Sequence, residues 1–143
     1  MSLDGQYDPD NIFAKILRGE MPSVKVYEDE EVLSFMDVFP QSKGHTLVIP
    51  KVPSRNLLDT DPEVLVGLVK KTQMIARAVK KGLNPDGIVI TQFNGAPAGQ
   101  TVFHLHFHII PRYDGAGLGQ HAGGGMADMD ELKSLADQIK AAL

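Results

Sequence analysis

Apolar residues recur along the chain with a period of three to four residues in some stretches and of two in others, and the changes of period divide it into elements. Asp10-Asn11 caps a short helix, Ile12 to Arg18, which carries Ile12, Phe13, Ile16 and Leu17 and is stopped by Gly19. Ser23 to Tyr27 and Val32 to Met36 read as two strands joined by the acidic turn Glu28-Asp29-Glu30-Glu31. A third strand, His45 to Ile49, follows Pro40-Gln41-Ser42-Lys43-Gly44 and ends at Pro50. The longest helical pattern runs from Pro62 to Lys81, capped by Thr60 or Asp61, with Leu65, Leu68, Thr72, Ile75 and Val79 at helical spacing and Gly82 beyond its end. After the turn Asn84-Pro85-Asp86-Gly87, Ile88 to Phe93 is a fourth strand. A last helix, Met129 to Ala142, buries Leu132, Leu135, Ala136 and Ile139. Strands linked by short turns, with helices before, between and after them, predict an α+β domain on a mainly antiparallel sheet.

One further stretch alternates in an unusual way. From Thr101 or Val102 to Ile109, with Pro111 closing it, a strand would turn Phe103, Leu105, Phe107 and Ile109 to one face and His104, His106 and His108 to the other. Successive histidines on that face would stand roughly 6.5–7 Å apart. Three imidazoles on one patch fit nucleophilic or acid–base catalysis at phosphorus or an acyl centre, with His106 as the natural nucleophile. They also fit a zinc, nickel or copper site, or a solvated polar face.

Composition narrows the setting more than the chemistry. At 143 residues with 43% hydrophobic and 22% charged, the chain suits one domain, 1–143, able to bury a real core. A formal charge of -4 and the lack of a basic stripe argue against nucleic-acid polymers. No segment is long and apolar enough for a membrane span, and Met1-Ser2-Leu3-Asp4-Gly5 lacks the regions of a signal peptide, so a cytoplasmic address is expected. With no cysteine, a thiol nucleophile and a disulfide frame are excluded.

The segment before the histidines changes the picture again. Asn94-Gly95-Ala96-Pro97-Ala98-Gly99-Gln100 has glycines that would let backbone N–H groups form an anion nest, with Asn94, Gln100 and Thr101 as neutral side-chain donors. His45 would sit at the mouth of its strand and Asp37 at the end of another. Gly115 to Gly125 holds six of the fourteen glycines and is assigned no element; His121, within it, is expected to be exposed.

Asn94-Gly95, followed by Ala98-Gly99-Gln100-Thr101-Val102-Phe103-His104-Leu105-His106-Phe107-His108-Ile109-Ile110-Pro111-Arg112, closely resembles the histidine-triad signature of the HIT superfamily, His-φ-His-φ-His-φ-φ with φ apolar. Ile12-Phe13-Ala14-Lys15-Ile16, Gly19-Glu20, Pro22, Phe35-Met36-Asp37 and Gly44-His45-Thr46-Leu47-Val48-Ile49-Pro50-Lys51 resemble its other blocks in order. The likeness covers about 11–112, leaving 113–143 as a glycine-rich segment plus a C-terminal helix. Within the superfamily the chain resembles the bacterial form of the Hint branch rather than the Fhit or galactose-1-phosphate uridylyltransferase branches.

That resemblance implies a HIT-like fold with a five-stranded sheet, a homodimer whose sheets join, and a hydrolase acting on purine nucleoside phosphoramidates or related AMP- or GMP-like conjugates. His106 would attack the α-phosphorus to give a nucleotidyl-histidine that water cleaves. The His104 carbonyl would orient His106, while His108 and Thr101 contact the phosphate or leaving group and His45 supports His104 from behind. Asn94, Gly99 and Gln100 would line the phosphate loop, Asp37 would take the ribose hydroxyls, and Ile12, Phe13, Ile16, Phe35 and Leu47 would sandwich base and sugar. A dinucleoside polyphosphate hydrolase with the same nucleophile, or a nucleotide-binding interaction module, are the alternatives. No cofactor is implied. Some bacterial relatives carry Cys-x-x-Cys at the positions of Asn11 and Ala14 and bind zinc with histidines matching His45 and His104; without the cysteines, that zinc is not expected here.

Overall fold

The structure, a computed structural model, describes residues 2–117 and 125–143. His121 and most of the glycine-rich stretch lie outside the described residues. Along the chain run α1 (Ile12–Leu17), β1 (Lys25–Glu28), β2 (Val32–Met36), β3 (Thr46–Pro50), α2 (Pro62–Leu83), β4 (Gly87–Thr91), β5 (Phe107–Arg112) and α3 (Met129–Lys140). The five strands form one antiparallel sheet in the order β1-β2-β3-β5-β4.

Both central strands, β2 and β3, are buried at every residue, because each sheet face carries its own apolar layer. The period of two divides them: Val32, Met36 and Val48 join α2 and α3 in the larger core, while Leu33, Phe35, Leu47 and Ile49 join Phe13 of α1 on the opposite side. The short helix α1 covers only part of that second face. The uncovered part holds the histidines.

Among the boundaries that differ from the pattern's expectation, three have a clear local reason. Gly82 does not end α2; Asn84 does, in the left-handed conformation (φ 52°), with its N–H on the Lys80 carbonyl. Gly82 is inside the helix because α3 passes so close that a Cβ there would stand 2.6 Å from the Gln138 carbonyl oxygen. Pro111 does not close β5, which continues through it to Arg112 against β4. Pairing with β3 has already ended at Ile109, so on that side no N–H is needed from residue 111.

The third difference matters most. The regular strand begins at Phe107, so His104 and His106 precede it and only His108 lies within it. Pro50 explains why the ladder stops. It has no N–H to offer a longer β5, and its carbonyl accepts the His104 ring N–H instead (2.8 Å). Leu105 N–H goes to the Ser54 carbonyl (2.8 Å), tying the segment to the loop after β3 rather than to β3 itself.

Candidate active site

The register of the sheet sets the first side chain of the site. His108 pairs directly with Leu47 of β3, and cross-strand partners share a face, so the imidazole stands on the side where α1 leaves the sheet uncovered. His106 arrives on the same side, its ring centroid 4.9 Å from that of His108 and edge-on to Phe13 at 4.9 Å. His45, immediately before β3, brings its ring 5.2 Å from His108.

Hydrogen-bond partners then fix which nitrogen holds each proton. A carbonyl can only accept, so His106 Nδ1, 2.7 Å from the His104 carbonyl oxygen, carries the N–H, and Nε2 is the basic nitrogen of that ring. His45 Nδ1 accepts the Gln41 backbone N–H (3.0 Å), which puts the proton of the neutral ring on Nε2. That proton points to His108 Nδ1, 2.9 Å away, with an Asp37 carboxylate oxygen at 3.5 Å. His108 Nδ1 is thereby an acceptor and its Nε2 bears the hydrogen. One ring presents a lone pair and its neighbour a proton.

His104 is different. It is fully buried, donates from Nε2 to Pro50 and accepts at Nδ1 from the Tyr7 hydroxyl (2.6 Å). Burial pushes its pKa below the ordinary imidazole value, against the smaller opposing effect of the Pro50 carbonyl. It serves the site through its backbone carbonyl. The three triad histidines therefore do not gather as ligands of one ion. Asp37, His45 and His108 do bring one donor atom each within 4.8 Å of the others. However, the His108 lone pair in that group is already directed at the His45 proton.

In front of His106 and His108 opens a cleft of about 510 Å³. Ile12, Phe13, Ile16, Phe35, Leu47, Asp37 and Thr101 line it, together with Met21, Pro22, Val38, Phe39, Val102, Met126 and Met129. No lysine or arginine is among its described lining residues. Asp37 stands at the end of β2, buried, with one carboxylate oxygen accepting the Phe39 N–H (2.8 Å).

The loop before the histidines is built otherwise than its sequence suggests. Gly95 and Gly99 have φ of 88° and 110°, which only glycine adopts without strain. The N–H groups of Ala98 and Gly99 turn back onto the carbonyls of Gly95 and Ala96, and that of Gln100 onto Gly95, so they do not form an open nest. Buried Gln100 accepts from Gly95 and donates to the Arg55 and Val102 carbonyls. Asn94 accepts from Leu57 and Gln92. The amides of Asn94 and Gln100 thus brace the loop. Asn94, Gly99 and Gln100 do not border the cleft, whereas Thr101 does.

Comparison with known proteins gives the family. The family model described as the HIT domain matches residues 18–115. The chain belongs to the HIT superfamily, in its Hint-like branch. The Hint-like chain is 48% identical over 109 residues to Protein hit of Bacillus subtilis, covering 76% of this chain and 75% of that one. It is 44% identical over 103 residues to adenylylsulfatase HINT3 of Arabidopsis thaliana, covering 72% of this chain and 52% of the plant protein. The crystal structure of a Hit-like protein from Bartonella henselae superposes with a TM-score of 0.89 at 54% identity, covering 96% of this chain and all of that one. Members of the family bind nucleotides and are generally nucleotide hydrolases.

For this HIT chain one expected contact is corrected. His45 does not stand behind His104; it backs His108, because the start of β3 lies beside Ile109 and His108 in the register. The support of His104 comes from Tyr7 and Pro50, and neither was singled out from the sequence. A hydroxyl nearly a hundred residues from its partner leaves no local signal. The methionines and Phe39 of the cleft were also missed, since apolar residues near turns read equally well as core.

Proposed function

We propose that the chain hydrolyses purine nucleoside phosphoramidates, or related nucleotide conjugates, at the α-phosphorus through a nucleotidyl-histidine on His106. The Nε2 lone pair of His106 attacks phosphorus; the bond to the leaving group breaks with its electron pair, and His108, which takes up a second proton to become the imidazolium when the anionic substrate binds, gives its Nε2 proton to the leaving amine and is left neutral. In the second half water attacks the same phosphorus, gives a proton back to His108, and the phosphorus–nitrogen bond to His106 breaks. A nucleoside monophosphate leaves. Asp37 accepts from the ribose hydroxyls, and the apolar walls from α1, Phe35 and Leu47 take the flat base.

The observation that carries this is the pair of hydrogen bonds, His106 Nδ1 to the His104 carbonyl and His45 Nε2 to His108 Nδ1, that gives two rings 4.9 Å apart opposite tautomers at one end of an apolar cleft. A relative named an adenylylsulfatase supports chemistry on a nucleotide conjugate. A cleft without a lysine or arginine among its described lining residues favours a substrate with one phosphate over a polyphosphate chain. The test compares kcat/KM for adenosine phosphoramidates, adenylyl sulfate and diadenosine polyphosphates. The single-phosphate conjugates should exceed the polyphosphates by at least an order of magnitude. Equal or reversed preference, or AMP binding without turnover of any of them, would overturn the assignment.

A further inference from the structure

We propose that Tyr7 is a positioning residue for the nucleophile: its hydroxyl holds the His104 ring, and so the backbone carbonyl that orients His106. This rests on His106 being the nucleophile. Tyr7 lies ahead of the matched HIT domain, in the segment that leads to α1.

Every link of the train is a hydrogen bond between groups of fixed role. The Tyr7 hydroxyl donates to His104 Nδ1 at 2.6 Å, His104 Nε2 donates to the Pro50 carbonyl at 2.8 Å, and the His104 carbonyl accepts from His106 Nδ1 at 2.7 Å. With both ring nitrogens engaged, the imidazole of His104 is held against rotation about its own side-chain bonds, and its backbone is held with it. Burial raises the pKa of Tyr7, so the phenol keeps the proton it donates, and burial lowers that of His104, which keeps Nδ1 an acceptor. The two rings also meet edge-on, 5.6 Å between centroids.

The segment carrying Tyr7 is itself fastened to the loop that carries the rest of the support. Arg55 donates to the Ser2 carbonyl (3.1 Å) and Asn56 to the Leu3 carbonyl (2.9 Å), while the neighbouring Ser54 carbonyl accepts the N–H of Leu105, between the two histidines. Leu3 lies against Gly95, where a Cβ would meet it at 3.2 Å. The N-terminal strap and the histidine segment thus share one anchor, residues 50–56. A hydroxyl that only filled space would need no such alignment.

The substitution Tyr7→Phe separates the two roles, because it keeps the ring contact and removes only the donor. We expect kcat on an adenosine phosphoramidate to fall about tenfold with KM changed less than twofold, since a displaced nucleophile slows chemistry without changing the cleft that binds the base. Nitrogen-15 NMR of labelled histidines supplies the second readout: the His104 Nδ1 resonance should move toward that of an unbonded imidazole nitrogen, and His106 Nδ1 should move with it. Unchanged kcat in an active enzyme, or a His106 resonance that stays in place while His104 moves, would overturn the proposal. If the wild-type protein turned over none of the conjugates, the functional assignment would fail while the NMR arm still decided whether Tyr7 acts on His106 through His104.

Discussion

His106 and His108 are the same residue type, nearly touching, yet their partners give them opposite equipment. The His104 carbonyl accepts the Nδ1–H of His106 and leaves a basic Nε2, while His45, set by the Gln41 N–H, donates to Nδ1 of His108 and leaves an N–H at its Nε2. In the proposed reaction the acid matters in proportion to how badly the leaving group needs a proton. His108→Gln should therefore lose about 10²-fold or more in kcat on an alkylamine phosphoramidate and much less on adenylyl sulfate, whose leaving group departs as a stable anion. Parallel kinetics on the two substrates check this; equal losses would show that His108 only binds. The triad spacing alone could suggest a nucleophile at His106. It could not suggest the protons, because these depend on Gln41, Pro50 and Tyr7, which approach from other elements.

At the scale of elements, the hydrophobic period identified the strands and helices, and the errors fall where one residue type has two physical uses. A glycine after a helical run usually marks its end, but Gly82 permits α2 and α3 to touch backbone to backbone. Gly82→Ala should destabilise the fold by about 1–3 kcal/mol through overpacking, despite alanine's better helix propensity. Denaturant unfolding measures it, and a stabilised variant would mean that the two helices separate freely. Proline likewise has two uses. Pro50 ends the β3–β5 ladder as its chemistry predicts, whereas Pro111 is accommodated because its neighbour on one side has already departed. Such outcomes depend on register, which strand patterns do not encode between distant segments. The loop 94–100 shows the limit for function: its glycines were legible as a tight turn, but not the internal hydrogen bonds that the Asn94 and Gln100 amides make to hold it.

Across the whole molecule, the sheet separates two tasks. One face packs α2 and α3 into a continuous core, and the other is covered only in part by α1, so that β2, β3 and β5 present Phe35, Leu47 and His108 to a cleft built on a rigid floor. The α+β class and the clustering of His106 and His108 with Asp37 and the α1 residues could be drawn from the sequence and its resemblance. The share of the N-terminal segment and of Met126 and Met129 could not, since nothing local ties them to the site. No described helix is long and apolar enough to cross a membrane. The central claim, a covalent bond from His106 to the nucleotide, is tested most directly by intact-mass analysis of the protein quenched during turnover of an adenosine phosphoramidate. We predict a species heavier by one nucleotidyl group, mapping to the peptide that contains His106 and absent from His106→Ala. Steady turnover with no such species, or an adduct on any other residue, would contradict the account.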